Sequence, residues 1–297
     1  MATVDVLLVC YNQENYIERT LGSVLSQKTT FDFRVVVADD CSKDGTIDII
    51  KRMEKESGRE FLYLDRSVNL GTSANYLRSF NACDAKYVAV MEGDDLWIDD
   101  YRLQKHIDFL ESHDDYVMSF NKIVVTSDDD THVQPDFEDE DYDLGYHEVD
   151  GDMLAENNII GNFSACVYRT EYVKKIDKEI FMSGYDWIVN LKMSQFGKIC
   201  CLLQPQSVYR LHSGGVWSRM SRAEQINDIL KAIEKYDQLT DNQYTDSFKK
   251  QSRILKAELC SIERDGKNAD GEKKGALTTM KNEIRYFISR LIAFVQK

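Results

Sequence analysis

Short β-rich apolar runs alternate with amphipathic stretches through the first 120 residues, and that alternation leaves few folds open to the chain. "VDVLLV" (4–9), "RVVVA" (34–38), "EFLYLD" (60–65) and "KYVAVM" (86–91) read as strands. Between them, Ile17, Leu21, Val24 and Leu25, then Ile47, Ile50 and Met53, recur at the spacing of one helix face. Residues 73–83 form a third helix, Leu103, Ile107 and Leu110 mark a fourth, and "YVMSF" (116–120) adds a fifth strand. Strands that are apolar on both faces, separated by helices, predict an α/β fold: a mostly parallel central sheet flanked by helices, Rossmann-like in its first half. With 297 residues, 43% of them hydrophobic, the chain can bury one large α/β core and carry an appendage.

Beyond residue 120 the pattern changes. Residues 127–152 hold twelve acids and no Lys or Arg, which reads as a solvated acidic insert, with contact to a cationic partner as the alternative. "SACVY" (164–168), "KICCLL" (198–203) and "SVYRL" (207–211) are further strand candidates. From Arg222 the chain reads as helical, with a break near "RDGKNADGEKKG" (264–275). That break is no calcium loop, because Gly266 and Leu277 stand where its first and last acids would be. The final stretch, 280–297, puts Ile284, Phe287, Ile288, Leu291 and Phe294 on one face beside Lys281, Arg285, Arg290 and Lys297. Such a face packs on the domain, on a second copy as a homodimer, or in a membrane interface as a peripheral contact.

A net charge of −14 excludes nucleic-acid binding through a general basic face. Seven cysteines without CxxC spacing fit reduced thiols better than a disulfide or zinc framework. No run approaches the ~18 apolar residues of a membrane span. The expected location is cytoplasmic, with the inner face of the membrane as a peripheral alternative.

In open α/β sheets, ligands bind outside the carboxyl ends of the strands. There the sequence places Cys10, Tyr11 and Asn12; Asp39 and Asp40; Asn69 and Gly71; and Glu92, Gly93, Asp94 and Asp95. Like charges ~4 Å apart at an effective dielectric near 20 repel by roughly 4 kcal/mol, so two acidic clusters on one rim need a remedy. Neither GxGxxG nor GxxxxGK[ST] is present, so no glycine-rich loop cradles a phosphate. Mn2+ or Mg2+ bridging carboxylate and diphosphate oxygens would meet both needs.

"LLVCYNQENYIERTLGSVLSQ" (7–27), "VVVADDCSKDGT" (35–46), "NLGTSANYLRSFNACDAKYVAVMEGDDLW" (69–97), "GYDWIVNLKMSQFGKI" (184–199) and "YRLHSGGVWS" (209–218) together resemble glycosyltransferase family 2, the inverting family with the GT-A fold, of bacterial surface-polysaccharide type. The likeness spans about residues 3–220, which implies a catalytic domain over 1–220, with the acidic insert at 127–152, and a helical extension over 221–297. It implies that Tyr11, Asn12, Asp39, Asp40, Asn69 and Gly71 surround the nucleotide base, with Asp40 accepting a hydrogen bond from it. Asp95 would be the direct ligand of Mn2+ or Mg2+, with Asp94 beside ribose and metal, and Glu92 stands where many relatives have Asp. Asp186 would be the general base, and His212 would reach metal or diphosphate. Arg210, Trp217, Asn162 and Ser164 would lie toward diphosphate or acceptor.

The implied activity is metal-dependent transfer of a sugar from a nucleotide-sugar donor, a UDP-sugar first, to a glycan or lipid-linked acceptor in surface-polysaccharide biosynthesis. Three other readings are weaker. A sugar nucleotidyltransferase would need a Gly- and Arg-rich N-terminal loop. A phosphatase would need DxDGT where "SKDGT" stands. A non-catalytic nucleotide-sugar-binding scaffold would have no use for Asp40, Asp95 and Asp186 together.

Overall fold

The computed structural model describes residues 2–127, 131–137, 142–184, 186–212, 217 and 220–268. The strands are β1 (Val4–Cys10), β2 (Phe33–Asp39), β3 (Phe61–Tyr63), β4 (Tyr87–Glu92), β5 (Leu96–Trp97), β6 (Tyr116–Thr126), β7 (Thr131–Gln134), β8 (Tyr146–Val149), β9 (Cys166–Arg169) and β10 (Lys198–Arg210). The helices are α1 (Ile17–Leu25), α2 (Thr46–Ser57), α3 (Thr72–Ala82), α4 (Arg102–Ser112), α5 (Gly151–Glu156), α6 (Thr170–Val173), α7 (Lys178–Ser183), α8 (Asp186–Met193), α9 (Arg222–Leu239) and α10 (Thr245–Asn268).

The strands form one sheet in the order β3-β2-β1-β4-β9-β6-β10-β5, with β7 on β6 and β8 on β10. β3, β2, β1 and β4 run parallel, so the carboxyl ends of β1, β2 and β4 open on the same rim. Antiparallel β9 joins this half to the parallel pair β6–β10. The apolar faces read from spacing are the buried ones: Ile17, Leu21 and Val24 of α1 and Ile47 and Ile50 of α2 pack with Val6, Leu8, Val35 and Val37. Gly58, with φ 64°, ends α2 in the left-handed conformation that glycine adopts at least cost.

Asp5 is a carboxylate inside this core. Arg34 Nε donates to Asp5 Oδ1 at 2.6 Å, and the amides of Asp84 and Ala85 donate to Oδ2 at 2.8 and 3.0 Å. A buried charge is tolerable only when paired and hydrogen-bonded in this way.

Two expectations are revised. "KICCLL" and "SVYRL" are halves of one 13-residue strand, β10, whose register shifts on either side of Pro205. A proline has no N–H for the ladder, so an irregularity is where a strand can hold one. The acidic insert is also less of an excursion than its composition suggests: it supplies β7 and β8, and Asp150 caps α5 by accepting from the Met153 amide at 2.8 Å. Each of the seven cysteines is a free thiol. Among the described residues, no helix is long and apolar enough to cross a membrane.

The chain divides into two compact units, Met1–Ser252 and Arg253–Lys297. Everything discussed below lies in the first. Helix α10 runs through Asn268, so the break expected from residue 264 does not begin before then. The apolar stretch 280–297 lies outside the described residues.

Candidate active site

The rim is built from loops that fasten to one another. Asn12, with φ 55°, donates its amide to Ser42 Oγ at 2.8 Å and receives the Lys43 amide on Oδ1 at 2.8 Å. Gln13 donates its amide to Thr46 Oγ1 at 2.7 Å, so the turn after β1 is locked to the start of α2. Tyr11 stands outside this lock, 47% exposed, with a ring available to stack. Asp39 is buried and accepts from Arg66 Nε at 2.5 Å and the Ser42 amide at 3.1 Å. Asp40 accepts the amides of Leu70 and Gly71 at 2.8 and 2.9 Å, one on each oxygen, while Asn69 Nδ2 donates to the Asp40 carbonyl at 2.9 Å. Asp40 thus sets the loop that leads through Gly71, at φ 79°, into α3. Asp39 and Asp40, expected around the base, have oxygens that already serve the loops around them.

The repulsion in "EGDD" is lessened by divergence. Glu92 Oε1 accepts from the Tyr76 hydroxyl at 2.7 Å, beneath Phe163, whose ring centroid is 4.4 Å from that of Tyr76. Burial first, and the Asp94 charge second, push the Glu92 carboxyl above the ordinary glutamate range. Asp94 turns the other way, accepting from Gln13 Nε2 at 3.1 Å and meeting His212 Nε2 at 3.0 Å on the same oxygen. Asp95 is 1% exposed. Its Oδ2 accepts from Asn162 Nδ2 at 2.7 Å and Ser164 Oγ at 2.5 Å, and its Oδ1 from the Arg210 amide at 3.3 Å. Burial, and then the charges of Asp94 and Glu92, raise the Asp95 carboxyl well above the aspartate range.

Asn162 and Ser164, expected toward the acceptor, form the seat of Asp95. Ser164 Oγ also accepts the Glu92 amide at 3.0 Å, and the Ser164 carbonyl accepts from Trp97 Nε1 and Arg102 Nη2 at 3.0 and 3.1 Å. One short turn therefore ties the end of β4 to α4.

Asp186 opens α8, half-buried, and accepts from Asn158 Nδ2 at 3.0 Å. Burial raises its carboxyl to about 6, against the Asn158 hydrogen bond and the amides of Trp187 and Asp186 itself, which lower it. A carboxylate poised there can accept a proton near neutral pH. The Tyr209 phenol is pushed up by burial and then by Glu92, Asp95, Asp186 and Asp94, so these four acids share one neighbourhood. At the end of β10 the Arg210 guanidinium lies 5.1 Å from the centre of the Tyr16 ring, and the His212 ring lies 4.8 Å from it. Trp217 is 38% exposed and its carbonyl accepts from Gln225 Nε2 at 3.1 Å.

Among the described residues, no three His, Cys, Asp or Glu side chains converge as a ready metal centre. Asp94 and His212 are the pair that fits a cation: an oxygen and a nitrogen 3.0 Å apart, Asp94 24% and His212 16% exposed. Mg2+ and Mn2+ bind through one or two protein ligands when diphosphate and water complete the shell. Asp95, expected as the direct ligand, accepts two donors on Oδ2 and one amide at 3.3 Å on Oδ1. Sequence reasoning missed Tyr76, Gln13 and Asn158. All three act across large separations in the chain, and only Gln13, beside the Tyr11–Asn12 pair, carried a local hint.

The parallel half of the sheet and its acidic rim agree with the GT-A fold that the sequence resemblance implies. The chain belongs to glycosyltransferase family 2, whose model, described as "Glycosyl transferase family 2", matches residues 5–177. An uncharacterized protein of Mycobacterium tuberculosis is 28% identical over 218 residues, 72% of this chain and 60% of its own length. The chain therefore spans about 60% of the length of that relative. TuaG of Bacillus subtilis, provisionally named a teichuronic acid biosynthesis glycosyltransferase, is 34% identical over 108 residues, 36% of this chain and 41% of TuaG. Among solved structures, S. aureus TarS with UDP-GlcNAc aligns with a TM-score of 0.63 at 19% identity, covering 85% of this chain and 71% of that one. The mannosyltransferase PcManGT of Pyrobaculum calidifontis, with GDP-Man and Mn2+, aligns with a TM-score of 0.60 at 15% identity, covering 100% of this chain and 81% of that one.

Proposed function

We propose that this chain transfers a sugar, with inversion, from a nucleotide-sugar donor to an acceptor hydroxyl. A UDP-sugar is the donor we favour, and a glycan or lipid-linked glycan of a surface polysaccharide the acceptor. The observation that carries the reading is Asp186: a half-buried carboxylate at a helix start, raised to about 6, in one electrostatic neighbourhood with Glu92, Asp94 and Asp95. The UDP-GlcNAc bound to TarS and the assignment of TuaG support the choice of donor and acceptor class.

In this reading, Tyr11 and the loop held by Asp40 receive the nucleotide base. Asp94 and His212 would hold Mn2+ or Mg2+, which when bound neutralises charge on the departing diphosphate. Asp95, seated on Asn162 and Ser164, fixes the rim from behind. Asp186 takes the proton of the acceptor hydroxyl as that oxygen bonds to the anomeric carbon. The bond from that carbon to the diphosphate oxygen breaks on the opposite side, and its electron pair leaves with the nucleotide.

Thermal denaturation with UDP, GDP, CMP or dTDP, each in Mn2+ and again in EDTA, tests the donor half. A nucleotide at ~100 times its dissociation constant adds about 2.7 kcal/mol of stability. One nucleotide should stabilise the protein in Mn2+, and that gain should vanish in EDTA and in Asp94→Ala. A gain that survives both would contradict the assignment of the cation to Asp94.

A further inference from the structure

Two tyrosines from the helical layer that follows β10 stand over two glycines, one on each of the segments that hold Asp186. Gly184 lies two residues before Asp186, and a Cβ built there would overlap Tyr236 Oη and lie 2.8 Å from its Cζ. Gly151 opens α5, whose chain continues to Asn158, and a Cβ there would overlap the Tyr244 ring and hydroxyl. Neither glycine is required by backbone conformation: Gly184 has an extended φ of −176°, and Gly151 is not among the positive-φ glycines. What both positions need is the absence of a side chain.

Other contacts tie the same two tyrosines to the same two segments. The Tyr236 ring meets Trp187 edge-on at 5.4 Å and 82°, and Trp187 Nε1 donates to the Leu154 carbonyl of α5 at 2.6 Å. Tyr244 Oη lies 3.0 Å from Ser194 Oγ, just beyond the end of α8. Lys192 Nζ reaches the Leu239 carbonyl at 3.4 Å, and Gln195 Nε2 the Thr240 carbonyl at 3.1 Å. Both tyrosines are 4% exposed. Asp186 is thus held from two directions, by its own helix and by Asn158; Tyr236 packs on the first, and Tyr244 on the start of α5, the element that leads to Asn158. None of these contacts touches the base-binding loops at the ends of β1 and β2.

We propose that Tyr236 and Tyr244 are positioning residues for Asp186, acting by close approach to Gly184 and Gly151. The stretch from α9 to Tyr244 is then part of the catalytic apparatus, although it contributes no group to the reacting atoms. This inference rests on Asp186 being the base.

The test compares Gly184→Ala, Tyr236→Ala, Tyr236→Phe and the doubles that combine Gly184→Ala with each Tyr236 change, all in the full chain. Three quantities are measured: hydrogen exchange over 186–193, stabilisation by UDP in Mn2+, and nucleotide release from UDP-GlcNAc, or from whichever nucleotide sugar the wild type turns over. Gly184→Ala should raise exchange and lower turnover by about 100-fold, the scale of an ångström of misplacement, while the nucleotide-induced stabilisation is kept. Tyr236→Ala alone should raise the same exchange and lower turnover with the nucleotide-induced stabilisation kept, and each double should lose less than the sum of its two single changes. This non-additivity is the signature of two groups in contact. Retention of the nucleotide-induced stabilisation in each variant guards against reading a folding defect as lost positioning.

Additive losses in the doubles, or nucleotide binding that falls in step with turnover, would overturn the proposal. Failure of the underlying reading looks different. Asp186→Asn would then keep full turnover while the exchange coupling between Gly184 and Tyr236 remained.

Discussion

Removing the Asn158 amide should lower the plateau of transfer, because Asn158 also holds Asp186, and should move its pH dependence. Asn158 Nδ2 donates to Asp186 Oδ2 at 3.0 Å and lowers a carboxyl that burial has raised to about 6. A hydrogen bond to a charged group contributes roughly 1.5–3 kcal/mol, and the lower end applies here because two backbone amides also serve Asp186. At 1.36 kcal/mol per pKa unit, Asn158→Ala should raise the Asp186 carboxyl by about one unit, to near 7. The base works deprotonated, so wild-type turnover should climb with pH through about 6 and the variant's through about 7. Scaled to each enzyme's own plateau, the deprotonated fraction at pH 6 falls from about one half to about one tenth, a loss of about fivefold, and at pH 8 the two fractions agree within about 10%. Initial rates of nucleotide release at saturating donor and acceptor, from pH 5 to 9, read this directly. A uniform loss at every pH, with the limb unmoved, would refute the assignment of the base to Asp186 or of its tuning to Asn158.

Other outcomes follow from the same geometry. Arg34→Met strands the Asp5 carboxylate in the core, which should cost about 3–5 kcal/mol and be read in denaturant unfolding. Asp95→Asn keeps an oxygen for Asn162 and Ser164 but turns its NH2 onto the Arg210 N–H that Oδ1 accepts, so in EDTA the protein should melt about 2–4 °C lower for each kcal/mol lost. The same variant with Mn2+ should still be stabilised by nucleotide, whereas Asp94→Asn should not. His212→Ala should lower the apparent affinity for Mn2+ in that assay and leave the pH limb of Asp186 in place.

The parallel half of the sheet was legible because its strands are apolar throughout and its helices keep one buried face: both are local signals. The rim acids were legible for the same reason, since each ends a strand or follows one within three residues. What stayed hidden was non-local. Nothing around Asn162 or Ser164 announces that they seat a carboxylate 67 and 69 positions away. Asp94 and Asp95 are adjacent, and only their partners separate them: His212 and Gln13 for one, a buried turn for the other. Gly184 reads as a flexible residue before Asp186 until Tyr236 is seen occupying the space of its missing side chain. The continuity of β10 through Pro205 was likewise invisible, because a proline in an apolar run ordinarily marks a break.

The most direct measurement is nucleotide release from a panel of UDP-, GDP- and dTDP-sugars by the wild type and by Asp186→Asn, in Mn2+, with nucleotide binding followed on the same samples. One donor class should be turned over by the wild type, and the variant should bind the corresponding nucleotide equally well while losing that turnover. Equal turnover by both proteins, or no nucleotide bound by either, would contradict an inverting transfer with Asp186 as its base.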